Sequence, residues 1–348
     1  MKKFILNIII LISPLALLIG LINYFVDPAN VFSNGRYEND VAEVLLKGHN
    51  IDNLQNCDDR IFLQKMITKS VIQPNVIILG TSRAMEIPSS FFPEKKVLNC
   101  GVSHANMNDL LAIIGIFDSI EKFPEEIYIE TTPVFVERSP TEEWASLFAY
   151  HQRITKKMNL NLNTGFDNSL FSHLQKKASA LFSFQYFQKS VGSFGLVFQK
   201  KIIDVETKIP KKFGRMSDCS LTYPSSYTHP DTTKAIADAD IYVSKSIVPE
   251  IDTNKLIVLQ KLIQYLKKQH VEVYLVNTPF QPDCYKKFEI KYHPFGRINT
   301  QINQLAQAEN IKLIGTFNPT DANINRSQFY DQLHCSKSAL ETIFKITR

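Results

Sequence analysis

The chain has 348 residues, 44% hydrophobic and 21% charged, so it is long and apolar enough to fold around a sizeable core and is not disordered, fibrous or repetitive. Its formal charge of +5 comes from Lys and Arg scattered along the sequence, and doublets such as Lys211-Lys212 and Lys267-Lys268 read as solvated faces, which argues against a nucleic-acid partner. The cysteines, at 57, 100, 219, 284 and 335, form no C-x-x-C pair and have no His spacing suited to zinc, so they assign neither a disulfide nor a metal.

From Phe4 to Val26 the sequence carries no charge, close to the ~20 apolar residues that a helix needs to cross a bilayer. A signal peptide starts in the same way, but this segment ends Asn23-Tyr24-Phe25-Val26-Asp27-Pro28, without a small-residue cleavage pattern. A core helix of a soluble protein fits poorly because the stretch lacks a polar face. The expectation is an uncleaved transmembrane anchor over 1–26 in the cytoplasmic (inner) membrane. Lys2 and Lys3 then stay inside, and the chain from about Asp27 onward lies on the outer face.

Residues 27–69 are mostly polar and read as a linker with two leading helices, at 37–48 and 60–70. The uncharged aliphatic run Val76-Ile77-Ile78-Leu79 predicts a strand buried on both faces, broken at Gly80 into the polar turn Thr81-Ser82-Arg83. A second strand is expected over 97–102, a helix over 108–120 behind polar Asn106 and Asn108, and a third strand over 126–131, closed by Pro133. Strand, strand, helix, strand is the rhythm of a parallel sheet with crossover helices. Between about 135 and 250 the rhythm is lost, and helical patches at 143–158 and 169–190 suggest a largely helical or irregular insertion. The pattern returns with a helix at 253–269, a strand at 271–276, a helix around 297–309 and a strand at 311–314. Return after a long gap argues for one α/β domain over 70–348 with an insertion rather than two domains in series.

Two segments carry chemistry. Ser82 stands just past the carboxyl end of the first parallel strand, where open α/β sheets gather ligands and catalytic groups, although Thr81 and Ser82 could equally cap a following helix. Near the carboxyl end, Asp331-Gln332-Leu333-His334 puts an Asp three residues before a His at the mouth of a final helix. The carboxylate can fix one ring nitrogen and leave the other free to take a serine proton. Alternatively, Asp331 simply caps that helix beside an idle His. Arg83 could meet an anionic substrate or pair with a nearby carboxylate. His104 is a weaker substrate-binding candidate beside Ser103, and His229, His270 and His293 have no partners at meaningful spacing. No G-x-G-x-x-G follows the first strand, so a dinucleotide site is disfavoured.

The order Gly-Thr-Ser-Arg after the first strand, Asn-Cys-Gly-Val-Ser after the second and Asp-x-x-His near the end resembles the SGNH (GDSL-like) hydrolase superfamily. The amino-terminal segment and the large insertion look like its membrane-anchored, cell-envelope branch of esterases and acyltransferases. That resemblance implies a three-layer, mostly parallel five-stranded flavodoxin-like sheet. It makes Ser82 the nucleophile, His334 the base and Asp331 the orienting acid, with an oxyanion hole from the N–H groups of Ser82 and Gly101. The family's Gly-x-Asn-Asp after the third strand is replaced here by Glu130-Thr131-Thr132-Pro133. Thr131 or Thr132 could supply a hydroxyl in its place, with Asn277 a weaker substitute, and the departure weakens efficient hydrolysis more than slow transfer. The implied substrates are an acylated glycan or acyl donor, with no metal or cofactor. The alternative is an inactive domain that binds an envelope glycan or a membrane acyltransferase partner.

Overall fold

The run Val76-Ile77-Ile78-Leu79 carries no polar residue because its alternate side chains enter two separate cores. Ile77 and Leu79 face one and Val76 and Ile78 the other, each fully buried. The computed structural model describes residues 2–346 apart from 29–30, 33–34, 55–56, 136–141, 163–169, 195–203, 207–210, 225–226, 228–231 and 247–248. Ahead of the sheet lie helices α1 (Lys2–Val26) and α2 (Arg36–Leu46), strand β1 (Asn50–Asp52) and helix α3 (Asp59–Lys69). The sheet proper begins with β2 (Val76–Leu79) and β3 (Val97–Asn99), followed by α4 (Met107–Ser119) and β4 (Glu126–Glu130).

The inserted region holds helices α5 (Phe148–Lys157), α6 (Leu170–Phe182) and α7 (Phe184–Gly192). After them come the short strands β5 (Asp204–Glu206), β6 (Gly214–Arg215) and β7 (Leu221–Thr222), then helix α8 (Thr232–Lys245). The chain closes with α9 (Thr253–Lys268), β8 (Glu272–Asn277), α10 (Pro282–Tyr292), α11 (Pro294–Ala308), β9 (Lys312–Gly315) and α12 (Lys337–Ile346).

The main sheet is five-stranded, in the order β3-β2-β4-β8-β9, and every pairing in it is parallel. In register, Ile78 lies opposite Asn99 on one side and Tyr128 on the other. The chain leaves β2 toward β3 and returns to its other side with β4, so the strand order reverses there. A crevice opens outside the carboxyl end of a strand at such a point. One face is covered by α4, α9 and α11, whose apolar stripes (Leu111 and Ile114; Leu259 and Ile263; Ile298 and Ile302) join one core. The other is covered by α12 with Phe91 and Phe92.

Two expectations are revised, and a third is met only in part. The segment 27–69 is no linker: Val41, Ala42, Leu45, Phe62, Leu63 and Met66 sit in the main core, because α2 and α3 each present an apolar stripe to it. The insertion is not only helical or irregular. β5, β6 and β7 join β1 in a small antiparallel sheet, ordered β5-β1-β6-β7, with strands too short to show alternation in the sequence. The expected transmembrane span is not found, since among the described residues no helix is long and apolar enough to cross a membrane. The helix itself is present as α1, but the side chains of 4–9, the first part of the expected span, lie outside the described residues.

Candidate active site

Gly80 ends β2 because the backbone passes so close to β4 that a Cβ there would stand 2.5 Å from the Cβ of Glu130. The next residues turn sharply, with Ala84 N–H donating to Thr81 O at 2.9 Å, and Ser82 is lifted to the rim, half-buried. From the loop ahead of α12, His334 Nε2 comes within 2.7 Å of Ser82 Oγ. Its Nδ1 lies 2.7 Å from Asp331 Oδ2, while Asp331 Oδ1 accepts the N–H groups of Leu333 and His334 at 2.7 and 2.8 Å. The loop is further closed by Tyr330 N–H donating to His334 O at 2.8 Å.

Burial by itself pushes the Asp331 carboxyl up, but the hydrogen bond and charge of His334 and the two backbone donors outweigh it, holding the group below the usual carboxylate range. An ionised Asp331 fixes the imidazole with Nδ1–H toward the carboxylate, so that Nε2 faces the serine as the acceptor. Three residues remote along the chain thus form the constellation of a nucleophile, a base and the base's orienter.

The other residues singled out from the sequence have different surroundings. Gly101 lies beside the nucleophile turn, where a Cβ would meet Met85 at 2.9 Å, but its N–H already donates to Asn99 Oδ1 at 2.9 Å. Thr131 donates from its hydroxyl to Asn277 Oδ1 at 2.8 Å, and Thr132 donates both N–H and hydroxyl to Glu130 Oε1. Thr131, Thr132 and Asn277 are all buried, so they brace the ends of β4 and β8 and do not line the rim. The Ser82 N–H takes part in no hydrogen bond given by the described residues and is the donor left for an oxyanion.

Arg83 is buried as well. Its Nη2 donates to the carbonyls of Thr278 and Pro279 at 2.7 and 2.8 Å, its Nη1 to Thr132 Oγ1 at 3.2 Å, and its guanidinium lies 4.1 Å over the Phe280 ring. It clamps the β8 end to the nucleophile turn, and burial draws its pKa down. His104 is exposed, with φ 54°, and no described hydrogen bond joins it to the triad.

Sequence reasoning missed the supports. Asn99, fully buried at the end of β3, donates to the carbonyls of Ala84, Met85 and Ile87 at 2.9–3.1 Å, while its Oδ1 holds Gly101. Glu130 Oε2 accepts the N–H and hydroxyl of Thr81 at 3.2 and 2.9 Å. The insertion is tied to the end of β3 and to the segment after Ser82, where Asn99 N–H donates to Asp218 O and Leu221 N–H to Met85 O. That attachment brings Tyr223 to the triad, its ring 6.1 Å from the His334 ring, 5.0 Å from Tyr330 and 5.3 Å from Tyr227. Behind this aromatic wall, Tyr330 Oη donates to Glu86 Oε1 at 3.0 Å. Burial pushes Glu86 up to about 8, against the opposing effects of Tyr330 and Lys337. These tyrosines are dispersed in sequence, and no local spacing announces them.

All five cysteines are free, four of them buried, and burial pushes the thiols of Cys284 and Cys335 up to about 12, so neither competes as a nucleophile. Among the described residues no group of His, Cys, Asp and Glu is arranged to hold a metal.

No family model matches the chain, and no curated protein matches it. Among solved structures, a chain from Streptococcus pneumonia provisionally named a platelet activating factor aligns at 11% identity with a TM-score of 0.37, covering 82% of this chain and 88% of that one. A likeness of that degree carries no argument about activity, and the functional reading rests on the geometry at Ser82.

Proposed function

We propose that this chain is an SGNH-type serine esterase or O-acyltransferase that acts on acyl esters of a cell-envelope glycan and is tethered to the inner membrane by α1. The observation that carries the reading is the 2.7 Å approach of His334 Nε2 to Ser82 Oγ, with Asp331 on the opposite ring nitrogen. A serine hydroxyl is a weak nucleophile until a base takes its proton as the bond forms. Ser82 Oγ attacks the acyl carbonyl, His334 Nε2 receives the proton, and Asp331 stabilises the imidazolium. His334 then protonates the departing alkoxide, leaving an acyl-Ser82 ester. Water or a sugar hydroxyl, deprotonated in turn by His334, carries the acyl group away.

The tyrosine wall supports a ring-shaped substrate: Tyr227, 44% exposed, stacks on Tyr223, whose ring lies 6.1 Å from that of His334, and sugar rings pack against aromatic surfaces of this kind. The tether is supported by the exposed aliphatic side chains of α1, including Leu11, Leu15, Leu17 and Leu18. A fluorophosphonate probe should label the full-length protein at Ser82, mapped by mass, and the Ser82→Ala protein should neither label nor cleave esters. A folded protein that leaves Ser82 unlabelled and hydrolyses no aryl or acetyl-sugar ester overturns the proposal.

The engagement of Gly101, Thr131 and Thr132 favours a second reading, a catalytically quiet domain that binds an envelope glycan or a membrane acyltransferase. Under that reading the Ser82→Ala chain retains its full cellular effect.

A further inference from the structure

Asn23 is the polar interruption in the last turns of an apolar helix, and it is completely buried. Its Nδ2 lies 3.0–3.1 Å from the carbonyl oxygens of Ala180, Leu181 and Ser183, and its Oδ1 accepts the Ser190 hydroxyl at 3.0 Å. Ala180 O also accepts the Ser183 N–H at 3.4 Å and Ser183 O the Phe187 N–H at 3.0 Å, whereas Leu181 O, in the last turn of α6, has no donor within the helix and takes its hydrogen bond from Asn23. At an exposed surface water would satisfy it. A buried side-chain amide that completes the pairing of Leu181 O is what a helix end needs where water is scarce, because an unpaired carbonyl in hydrocarbon costs several kcal/mol.

The fastening also sets a depth. The Phe182 ring would lie 3.5 Å from a Cβ on Gly20, which precedes the end of α1 at Val26 by six residues. At ~1.5 Å per residue, the α6–α7 turn, fastened between the levels of Asn23 and Gly20, sits about 5–9 Å below that end along the helix axis. At the other side of the hairpin, Tyr186 Oη donates to Asp27 Oδ1 at 2.8 Å, at the polar end of α1. The hairpin exposes Phe182, Phe184, Val191 and Phe194, all more than half exposed, and α1, against which it packs, exposes Leu18, Leu21 and Phe25.

We infer that the α6–α7 hairpin is a second membrane element, a wedge whose turn is seated among the acyl chains of the outer leaflet beside α1. The inference rests on reading α1 as a membrane anchor, and the depth of about 5–9 Å matches that to which interfacial helices bury their apolar face.

Full-length chains carrying Leu18→Trp on α1, or Phe184→Trp or Val191→Trp on the hairpin, are reconstituted into phosphatidylcholine vesicles brominated on the acyl chains. All three positions are exposed, and the chain's single native tryptophan, Trp144, is buried and gives a constant background. The expected result is quenching at both hairpin positions comparable to that at position 18. Quenching at 18 alone, with solvent-exposed emission from 184 and 191, overturns the wedge and leaves the anchor standing. An absence of quenching at all three overturns both. Phe184→Ser with Phe194→Ser gives an independent readout: digestion of the hairpin by external protease should become faster in vesicles while Ser82 labelling is kept, and an unchanged digestion rate again overturns the wedge.

Discussion

The Gly101 N–H donates to Asn99 Oδ1 at 2.9 Å, so a backbone donor beside Ser82 is already spent on its own strand end. Under the proposed function this leaves, of the two backbone donors expected from the sequence, the Ser82 N–H to stabilise a tetrahedral oxyanion. Loss of a single oxyanion donor lowers kcat by about 10²–10³ in a well-studied protease. Slow turnover is therefore expected with activated esters, and quench-flow should show whether acyl-Ser82 forms. Asn99→Ala also strips donors from the buried carbonyls of Ala84, Met85 and Ile87, and should destabilise the fold by about 3 kcal/mol in urea denaturation.

Replacing Asp331 by Asn keeps the shape of the loop but removes the charge that orients the imidazole. In the serine-protease case the same exchange lowers kcat by about 10⁴, and a drop of that order is expected here in ester cleavage and in Ser82 labelling. Because the folded carboxyl is held below its ordinary value, its contribution to stability is present at neutral pH and is lost as pH falls through that lowered value. Denaturation curves at stepwise lower pH should show Asp331→Asn converging on the parent chain in acid.

Glu86 behaves in the opposite sense. Its folded pKa is raised to about 8 by burial, so the native chain holds a proton that the unfolded chain releases. Between the ordinary Glu value and pH 8 this group lowers stability by about 1.4 kcal/mol per pH unit, and above pH 8 it adds no further slope. Glu86→Gln can still accept from Tyr330 and should be more stable than the parent at pH 8, with the gap closing toward pH 5. Parallel melting curves at the two pH values check this, and a gap independent of pH would refute it.

Arg83 was a candidate for substrate contact from its sequence position, yet the side chain is consumed by Thr278, Pro279 and Thr132. Arg83→Ala should cost about 3 kcal/mol of stability, since it leaves two buried carbonyls without donors. The ratio of KM values for anionic and neutral esters should not change. A selective rise in KM for the anionic ester would restore a role for Arg83 in recognition.

The strands of the parallel sheet were legible because each is a short apolar or alternating run bounded by polar turns; Ser82 stood out by its place just past such a run, and Asp331 and His334 by their spacing at the mouth of the final helix. Residues Asn50–Asp52 and the two- and three-residue strands of the insertion were not, because strands that short have no period and exist only by pairing with distant segments. The roles of Thr131, Thr132, Asn277 and Gly101 turned on hydrogen bonds to Glu130, Asn99 and one another, and a donor's availability cannot be read from its own neighbours in sequence. By itself the sequence determined which residue types could perform acyl chemistry and the strand ends that would carry them. Only the tertiary structure decided which N–H and hydroxyl groups remain free, because a buried polar group takes whichever partner the fold brings within about 3 Å.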